Sequence, residues 1–214
     1  MADLIFYTNP MSRGQTVRWM LEEVGQPYET EILDYGTTMK AEPYLSINPM
    51  GKVPAIQHNG KVVTEVAAIC CYLADAFPAA NLAPPSGERA DYYRWIFFTS
   101  GPVEAAFSNK TAGWEPTPEK QRMFGYGTYD TAINTFEKAL TGKEYIAADH
   151  FTAADLFVGA NVNFMLAFNL LEPRPAFVDY ARRMTDRDGY RRAKEIDSKL
   201  IAEIQAAQAP QPAA

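Results

Sequence analysis

Two helical patterns in the first third of the chain begin at positions suited to holding negative charge. One begins near Ser12, a residue type that often caps a helix, and the other begins at Glu65. The first turn of a helix has N–H groups without intrahelical partners and a partial positive charge. A thiolate at the first N-terminus and a carboxylate at the second would both be stabilised by the backbone. These positions predict a pocket for an extended acidic peptide that carries a thiol.

A proline lies between these two positions, inside a pattern that otherwise predicts a strand. Pro54 has no N–H for a sheet ladder, so it is tolerated at the start of a strand and leaves Val53 without a ladder partner. The N–H and C=O of Val53 are then available to pair with the backbone of an extended ligand. In this segment a cis peptide bond is expected only between Val53 and Pro54.

The sequence has few residues typical of phosphate-binding, redox or metal sites. The sequence has no glycine-rich phosphate loop and no Cys-x-x-Cys pair, and its two histidines, His58 and His150, are expected to be structural or solvated. Cys70 and Cys71 are adjacent in a helical pattern, where a disulfide would be strained and two metal ligands would lack partners. We therefore expect packing roles for both cysteines and no bound metal.

The elements that position these residues follow the order βαβ–ββα in the first third of the chain. Strands are expected at residues 4–7, 28–32, 53–57 and 61–64, with helices from Ser12 to Gly25 and from 65 to 77. Asn59-Gly60 separates the last two strands, and this dipeptide favours a hairpin because both of its residues tolerate positive φ. The connecting helix makes the first two strands parallel. This order is that of a thioredoxin-like fold.

The remainder of the chain has helical patterns only. Helices are expected at 88–114 with a bend at Pro102, and at 119–140, 152–168, 175–184 and from 190 onward. Thr152 and Asp155 have the spacing of a capping box. The sequence thus predicts a thioredoxin-like domain at 1–78, a linker at 79–87, an all-helical bundle domain at 88–205 and a disordered tail at 206–214.

Charge and hydropathy narrow the class of partner. The formal net charge is −6, without a run of Lys or Arg, which argues against nucleic acid or an anionic membrane as the main partner. The N-terminal residues lack the pattern of a signal peptide, and no uncharged stretch reaches the roughly 18 residues of a membrane span. We expect a cytoplasmic protein that binds a small molecule.

Three segments together resemble the cytosolic glutathione S-transferases, in particular the bacterial-type members with a serine that activates the thiol. They are SRGQTVRWMLEEVGQPYE, INPMGKVPAIQHNGKVVTEVAAICCYLADAFP and FTAADLFVGA. The resemblance covers almost the whole chain. It implies a homodimeric detoxification enzyme that joins the glutathione thiolate to a soft electrophile, with peroxide reduction as a side activity. A non-catalytic glutathione-binding or protein-interaction module of the same fold is the alternative.

The resemblance also assigns glutathione contacts by position. Val53 is expected to pair with the cysteinyl backbone, Pro54 to be the family's cis-proline, and Glu65 to contact the γ-glutamyl amine. Val66 departs from the pattern, since the family most often has a serine there, and it loses a hydrogen bond worth about 0.5–1.5 kcal/mol. Two lysines are expected at the glycyl carboxylate or at a backbone carbonyl, Lys40 and Lys52.

Several residues are candidates for activating the thiol. Ser12 matches the serine-type members by its distance from the Thr16-Val17-Arg18 run, whereas Tyr7 ends the first strand as in the tyrosine-type members. Arg13 is an alternative as a fixed cation, and Asn9 as an amide donor. The residues expected to line the electrophile site are Met11, Phe107, Lys110 and Trp114. The expected dimer depends on the family and on an aromatic group at 92, 93 and 95.

Overall fold

A computed structural model of the protein describes residues 3–208. These residues form two compact units. The first unit contains the described residues up to Ala80 together with those from Arg187 onward, and the second contains Asn81–Asp186. Within the described part of the chain, no helix combines the length and apolar character needed to cross a membrane.

The first unit is built on a four-stranded mixed sheet in the order β2-β1-β3-β4. The strands are β1 (Leu4–Thr8), β2 (Glu29–Ile32), β3 (Ala55–His58) and β4 (Lys61–Thr64). β1 pairs parallel with β2 and antiparallel with β3, as the βαβ–ββα prediction requires. Asn59 and Gly60 have φ values of 50° and 75°, which confirms the hairpin turn. β3 begins two residues later than predicted, after Pro54.

Three helices of the first unit connect or follow these strands. They are α1 (Gly14–Val24), the short α2 (Tyr44–Ile47) and α3 (Val66–Ala76). α1 ends at Gly25, which has φ 70° and donates its N–H to the Leu21 carbonyl. Buried apolar residues of α1 and α3 form much of the core of this unit. The thioredoxin-like fold is therefore confirmed.

The last helix, α9 (Asp188–Gln208), packs against α1 in the first unit. At this contact Arg18 of α1 and Asp197 of α9 form an ion pair with Nε and Oδ1 2.7 Å apart, and their residues are only 1% and 2% exposed. This differs from the prediction of one helical domain over 88–205. The predicted tail is helical through Gln208, and residues 209–214 lie outside the described residues. The other domain limits stay predictions.

Helices are the regular secondary structure of the described second unit, and turns and loops connect them. Its helices are α4 (Ala90–Phe98), α5 (Glu104–Ala112), α6 (Tyr129–Leu140), α7 (Ala153–Ala167) and α8 (Pro175–Thr185). A wide π-helical turn over Thr99–Val103 joins α4 to α5 and contains Pro102, so the chain bends there without a break. The predicted capping box is confirmed, because the Asp155 carboxylate accepts the Thr152 N–H at 3.0 Å.

The prediction of a helix over 119–140 is wrong in its first half. α6 begins at Tyr129, where Thr128 caps it by accepting the Thr131 N–H at 3.1 Å. Gly127 precedes the cap with a φ of 67°, a conformation outside a right-handed helix. Met123, which the helical spacing places on the same side as Phe136, is 78% exposed. Local turn chemistry at Gly127 and Thr128 thus decided the boundary.

Candidate functional site

Ser12 lies in the loop between β1 and α1, with its hydroxyl fixed by two hydrogen bonds. Its Oγ donates to the Asn9 carbonyl at 2.6 Å and accepts the Gly14 N–H at 2.9 Å. The helix begins at Gly14 and its N-cap is Arg13, so the expectation that Ser12 occupies the cap is wrong by one residue. The Gln15 N–H also bonds back to the Ser12 carbonyl. At this helix end the Ser12 hydroxyl therefore pairs with the Gly14 N–H, one of the donors that the first turn of a helix leaves without an intrahelical partner.

Tyr7 has a different environment. Its hydroxyl donates to Gln57 Oε1 at 3.2 Å, and its ring lies 5.6 Å from that of Tyr44. Burial raises the pKa of the Tyr7 phenol, and the charge of Glu31 adds to that rise. A phenol with a raised pKa is a weaker hydrogen-bond donor, and this one already has an acceptor.

Val53 stands outside the sheet ladder, as the sequence predicts. The ladder of β3 begins at Ala55, and the Val53–Pro54 peptide bond is cis. The preceding carbonyl, that of Lys52, accepts hydrogen bonds from the Tyr44 hydroxyl at 2.5 Å and from Asn48 Nδ2 at 2.8 Å. The backbone that enters β3 is therefore held through the Lys52 carbonyl, and Val53 lies outside the ladder.

Glu65 precedes α3 in a strained backbone conformation. Its φ is 67° and its ψ is 119°, a region that non-glycine residues rarely occupy and that costs about 1–3 kcal/mol. The first helical hydrogen bond runs from the Ile69 N–H to the Glu65 carbonyl at 2.9 Å, so the N–H groups from Val66 to Ala68 precede the ladder. Val66 is half-buried and offers no hydroxyl, whereas the Glu65 side chain is exposed.

The two predicted lysines differ in their contacts. Lys40 Nζ donates to the Gly51 carbonyl at 2.5 Å, which links the segment after β2 to the loop before β3. Gly51 has φ 55°, and a Cβ added there would lie 2.9 Å from the Met39 carbonyl oxygen, so a glycine is required. The Lys52 side chain is exposed. Lys40 thus meets a backbone carbonyl of the protein, and its role at glutathione stays a prediction.

The four residues expected at the electrophile site belong to different units. Met11 lies in the first unit and is exposed, whereas Lys110 and Trp114 lie in the second unit, where Trp114 is 74% exposed. Lys110 Nζ lies 3.8 Å from the centre of the Tyr129 ring, a cation–π contact. Phe107 is only 8% exposed and belongs to the core of the second unit, and its assignment as a lining residue stays a prediction.

Asn48 and Tyr44, which hold the loop before β3, were not predicted from the sequence. Asn9 was predicted as an amide donor to a thiolate, but its Nδ2 donates instead to the Leu33 carbonyl at 2.8 Å. The tripeptide Asn-Pro-Met precedes both Ser12 and Gly51, and this repeat is the pattern that would have revealed both asparagines. Among residues 3–208, no group of three or more His, Cys, Asp or Glu side chains is arranged to hold a metal ion.

Comparisons with known proteins agree with this geometry. The family model for the N-terminal domain of glutathione S-transferases matches residues 11–76. Glutathione S-transferase GST-4.5 of Xanthomonas campestris is 29% identical over 159 residues, which cover 71% of this chain and 78% of that protein. A glutathione transferase structure from Methylococcus capsulatus is 27% identical with a TM-score of 0.74, over 92% of this chain and 99% of that one. These matches support the cytosolic glutathione S-transferase family for this chain.

The relatives and solved structures named glutathione S-transferase support a glutathione transferase enzyme. A glutathione S-transferase from a sphingomonad, solved in complex with glutathione, has a TM-score of 0.69 and 25% identity over 91% of this chain and 98% of that one. The segment matched by the family model contains the Ser12 loop, the cis Val53–Pro54 bond and the start of α3. The matched segment therefore coincides with the candidate site.

Proposed function

We propose that this glutathione transferase joins glutathione to a soft electrophile and that Ser12 stabilises the thiolate. The observation that carries the proposal is the Ser12 hydroxyl, whose oxygen accepts the Gly14 N–H while its proton rests on the neutral Asn9 carbonyl. A thiolate is a charged acceptor and forms a stronger hydrogen bond than a neutral carbonyl does. The hydroxyl therefore turns from Asn9 to the sulfur when glutathione binds.

The other parts of glutathione have matching groups in the first unit. Val53 has an N–H and a C=O for the cysteinyl backbone, and the N–H groups at the start of α3 suit the γ-glutamyl carboxylate. Glu65 is exposed and negatively charged, which suits the γ-glutamyl amine. Lys40 donates to the carbonyls of Gly51 and, at 3.4 Å, Met50, and its third N–H is proposed for the glycyl carboxylate, with Lys52 nearby in the chain. Because Val66 lacks a hydroxyl, backbone N–H groups hold the γ-glutamyl carboxylate here.

Tyr7 and Arg13 are weaker candidates for activation. The Tyr7 hydroxyl donates to Gln57 within the sheet, and we rank it below Ser12 because Ser12 matches the serine-type members by its distance from the Thr16-Val17-Arg18 run. Arg13 adds a positive charge beside the loop and lowers the thiol pKa from a distance, without the directed hydrogen bond that Ser12 provides. We assign the main role to Ser12 and an electrostatic one to Arg13.

The finer parts of the proposal concern the electrophile and the assembly. Met11, in the first unit, is exposed and is a proposed contact for a hydrophobic electrophile, with peroxide reduction as a side reaction of the same thiolate. We also propose a homodimer, as is typical of the family. Of the aromatic group on α4, Tyr92 and Trp95 are buried within the second unit, so only Tyr93 is available for a partner subunit.

Replacing Ser12 with alanine tests the proposal. We expect the pKa of the bound thiol to rise by about one unit, the equivalent of about 1.36 kcal/mol, and turnover at neutral pH to fall about tenfold. The dissociation constant of glutathione should change less than about twofold, because the backbone contacts are kept. Titration of thiolate absorbance in the presence of glutathione measures the pKa, and a panel of electrophiles measures turnover.

Two matched variants complete this test. Ser12→Thr keeps a hydroxyl and should retain part of the pKa depression, and Tyr7→Phe should leave the thiol titration unchanged. If the thiolate titration of Ser12→Ala with bound glutathione were identical to that of the wild type, Ser12 would be eliminated as the activating residue. Glutathione binding by the wild type without turnover of any electrophile would favour the non-catalytic module.

A further inference from the structure

The tripeptide Asn-Pro-Met occurs twice in the first unit, at residues 9–11 and 48–50, and both copies fold in the same way. In each copy the asparagine Oδ1 accepts the methionine N–H two residues later, at 3.0 Å for Asn9 and 3.1 Å for Asn48. The asparagine carbonyl also accepts the N–H three residues later, at 3.0 Å and 2.8 Å. Each copy is thus an Asx turn nested in a β-turn, and the proline fixes φ at the position where such turns favour it.

Both asparagines use the other end of the amide to hold a second segment. Asn9 Nδ2 donates to the Leu33 carbonyl and Asn48 Nδ2 to the Lys52 carbonyl, each at 2.8 Å. Both residues are buried. An exposed turn asparagine would be solvated and free to change rotamer, whereas these two amides have a donor and an acceptor satisfied inside the protein.

We propose that these twin turns are the positioning elements of the glutathione site, each for a different part of the ligand. The inference rests on the proposed function and adds that Asn9 orients the activating hydroxyl while Asn48 orients the docking backbone. Neither asparagine side chain is required to touch glutathione. Both act through a neighbour and are positioning residues.

The Asn9 turn determines where the Ser12 hydroxyl points. The Asn9 carbonyl accepts both the Ser12 N–H at 3.0 Å and the Ser12 Oγ–H at 2.6 Å, so one oxygen holds the backbone and the side chain of the same residue. That carbonyl is in turn fixed because the Asn9 amide ties the loop to Leu33 and Met11. Without the amide, the carbonyl loses its anchor and the serine rotamer is no longer preset.

The Asn48 turn determines where the Val53 N–H points. The peptide between Lys52 and Val53 is trans and planar, so its carbonyl and its N–H face opposite ways. Asn48 Nδ2 and the Tyr44 hydroxyl both donate to the Lys52 carbonyl and hold it toward the protein. The Val53 N–H is then directed away from these donors and toward an incoming ligand backbone.

Single replacements of the two asparagines should therefore separate activation from binding. Asn9→Ala should raise the bound thiol pKa and lower kcat at neutral pH about fivefold, with the glutathione Kd within about twofold of the wild type. Asn48→Ala should weaken glutathione binding about fivefold and leave the bound thiol pKa unchanged. Tyr44→Phe keeps the ring packing and removes only the second donor to the Lys52 carbonyl. Like Asn48→Ala, it should weaken glutathione binding and leave the bound thiol pKa unchanged.

The experiment measures four quantities on each purified full-length variant: the glutathione Kd by calorimetry, the bound thiol pKa by absorbance, kcat, and the amide hydrogen exchange of Met11 and Met50 by NMR. Asn161→Ala in α7 is the matched control, because Asn161 is also buried and its Nδ2 donates to the Phe157 carbonyl at 2.8 Å. This control should lower the melting temperature without changing the thiol pKa or the Kd. In the ligand-free protein, each asparagine variant should accelerate exchange at its own methionine only.

The outcomes distinguish this inference from the proposed function. Failure of the wild type to bind glutathione would remove the proposed function, and the ligand-free exchange of Met11 and Met50 would still decide whether the turns hold their loops. A different result is that the wild type binds glutathione with a depressed thiol pKa while Asn9→Ala and Asn48→Ala both change the Kd or both change the thiol pKa. That result would overturn the inference that Asn9 serves activation and Asn48 serves binding. Variants that only lose melting temperature, as Asn161→Ala should, overturn it as well.

Discussion

Replacing Asp197 with alanine is expected to lower the free energy of unfolding by about 3–5 kcal/mol, the usual cost of leaving one charge of a buried ion pair unpaired. Arg18 is almost fully buried, lies with its guanidinium carbon 5.1 Å from the centre of the Phe6 ring, and has only weak further acceptors in Tyr28 and Thr30. Its Nη2 atom has no hydrogen-bond partner among the described residues. Urea unfolding of the wild type and the variant measures the change.

The double replacement Arg18→Met with Asp197→Leu is the matched control for this prediction. Burial raises the pKa of the Asp197 carboxyl and the guanidinium of Arg18 opposes that rise, so the attraction does not fully offset the loss of hydration. An apolar pair of similar volume is then expected to recover most of the stability that the single variant loses. A double variant as unstable as Asp197→Ala would show instead that the charges themselves hold α9 on α1.

Replacing Gly14 with alanine is expected to cost about 1–3 kcal/mol, the range for overpacking, and to lower turnover as well. A Cβ at this position would lie 2.0 Å from Thr8 Oγ1 and 3.0 Å from Ser12 Oγ. Thr8 is buried at the end of β1, so either the strand end or the start of α1 must shift. Since the Gly14 N–H holds the Ser12 oxygen, a shift of α1 also moves the activating hydroxyl. Thermal unfolding and the thiol titration measure the two effects.

Two variants test the cause of this effect. Gly101→Ala, in the turn between α4 and α5, places a Cβ where no atom lies within 4 Å and should change stability by less than about 1 kcal/mol. Thr8→Ala removes the oxygen that the new Cβ meets, so the double variant with Gly14→Ala should regain part of the loss in a double-mutant cycle. Additive effects of the two replacements would contradict the clash.

Elements governed by local chemistry were predictable from the sequence. Asn59-Gly60 determines the hairpin, Gly25 ends α1, and Thr152 with Asp155 starts α7, because each depends on φ preferences or hydrogen bonds within a few residues. The same reasoning fails where a stripe of apolar residues crosses a local break. The helix predicted from 119 has the correct spacing of apolar residues, but the positive φ of Gly127 interrupts it. The helix therefore begins only after this glycine.

Features that depend on distant residues were not accessible in this way. Arg18 and Asp197 are 179 positions apart in the chain. No pattern of neighbouring residues therefore predicts that α9 packs within the first unit. The partners of Asn9 and Tyr7, at Leu33 and Gln57, are likewise remote in the chain. The sequence therefore located the segments of the site. The hydrogen-bond partners of the Ser12 and Tyr7 hydroxyls could be identified only from the folded structure.

The backbone of Glu65 has a consequence for how this protein can change. A glycine at that position would relieve the positive φ and stabilise the fold by about 1 kcal/mol, but it would remove the carboxylate proposed to hold the amine of glutathione. Selection for heat resistance alone should therefore drift toward glycine at position 65 and lose the ligand. The strained backbone of Glu65 and its proposed contact with the amine of glutathione are therefore opposed, and a gain in one is a loss in the other.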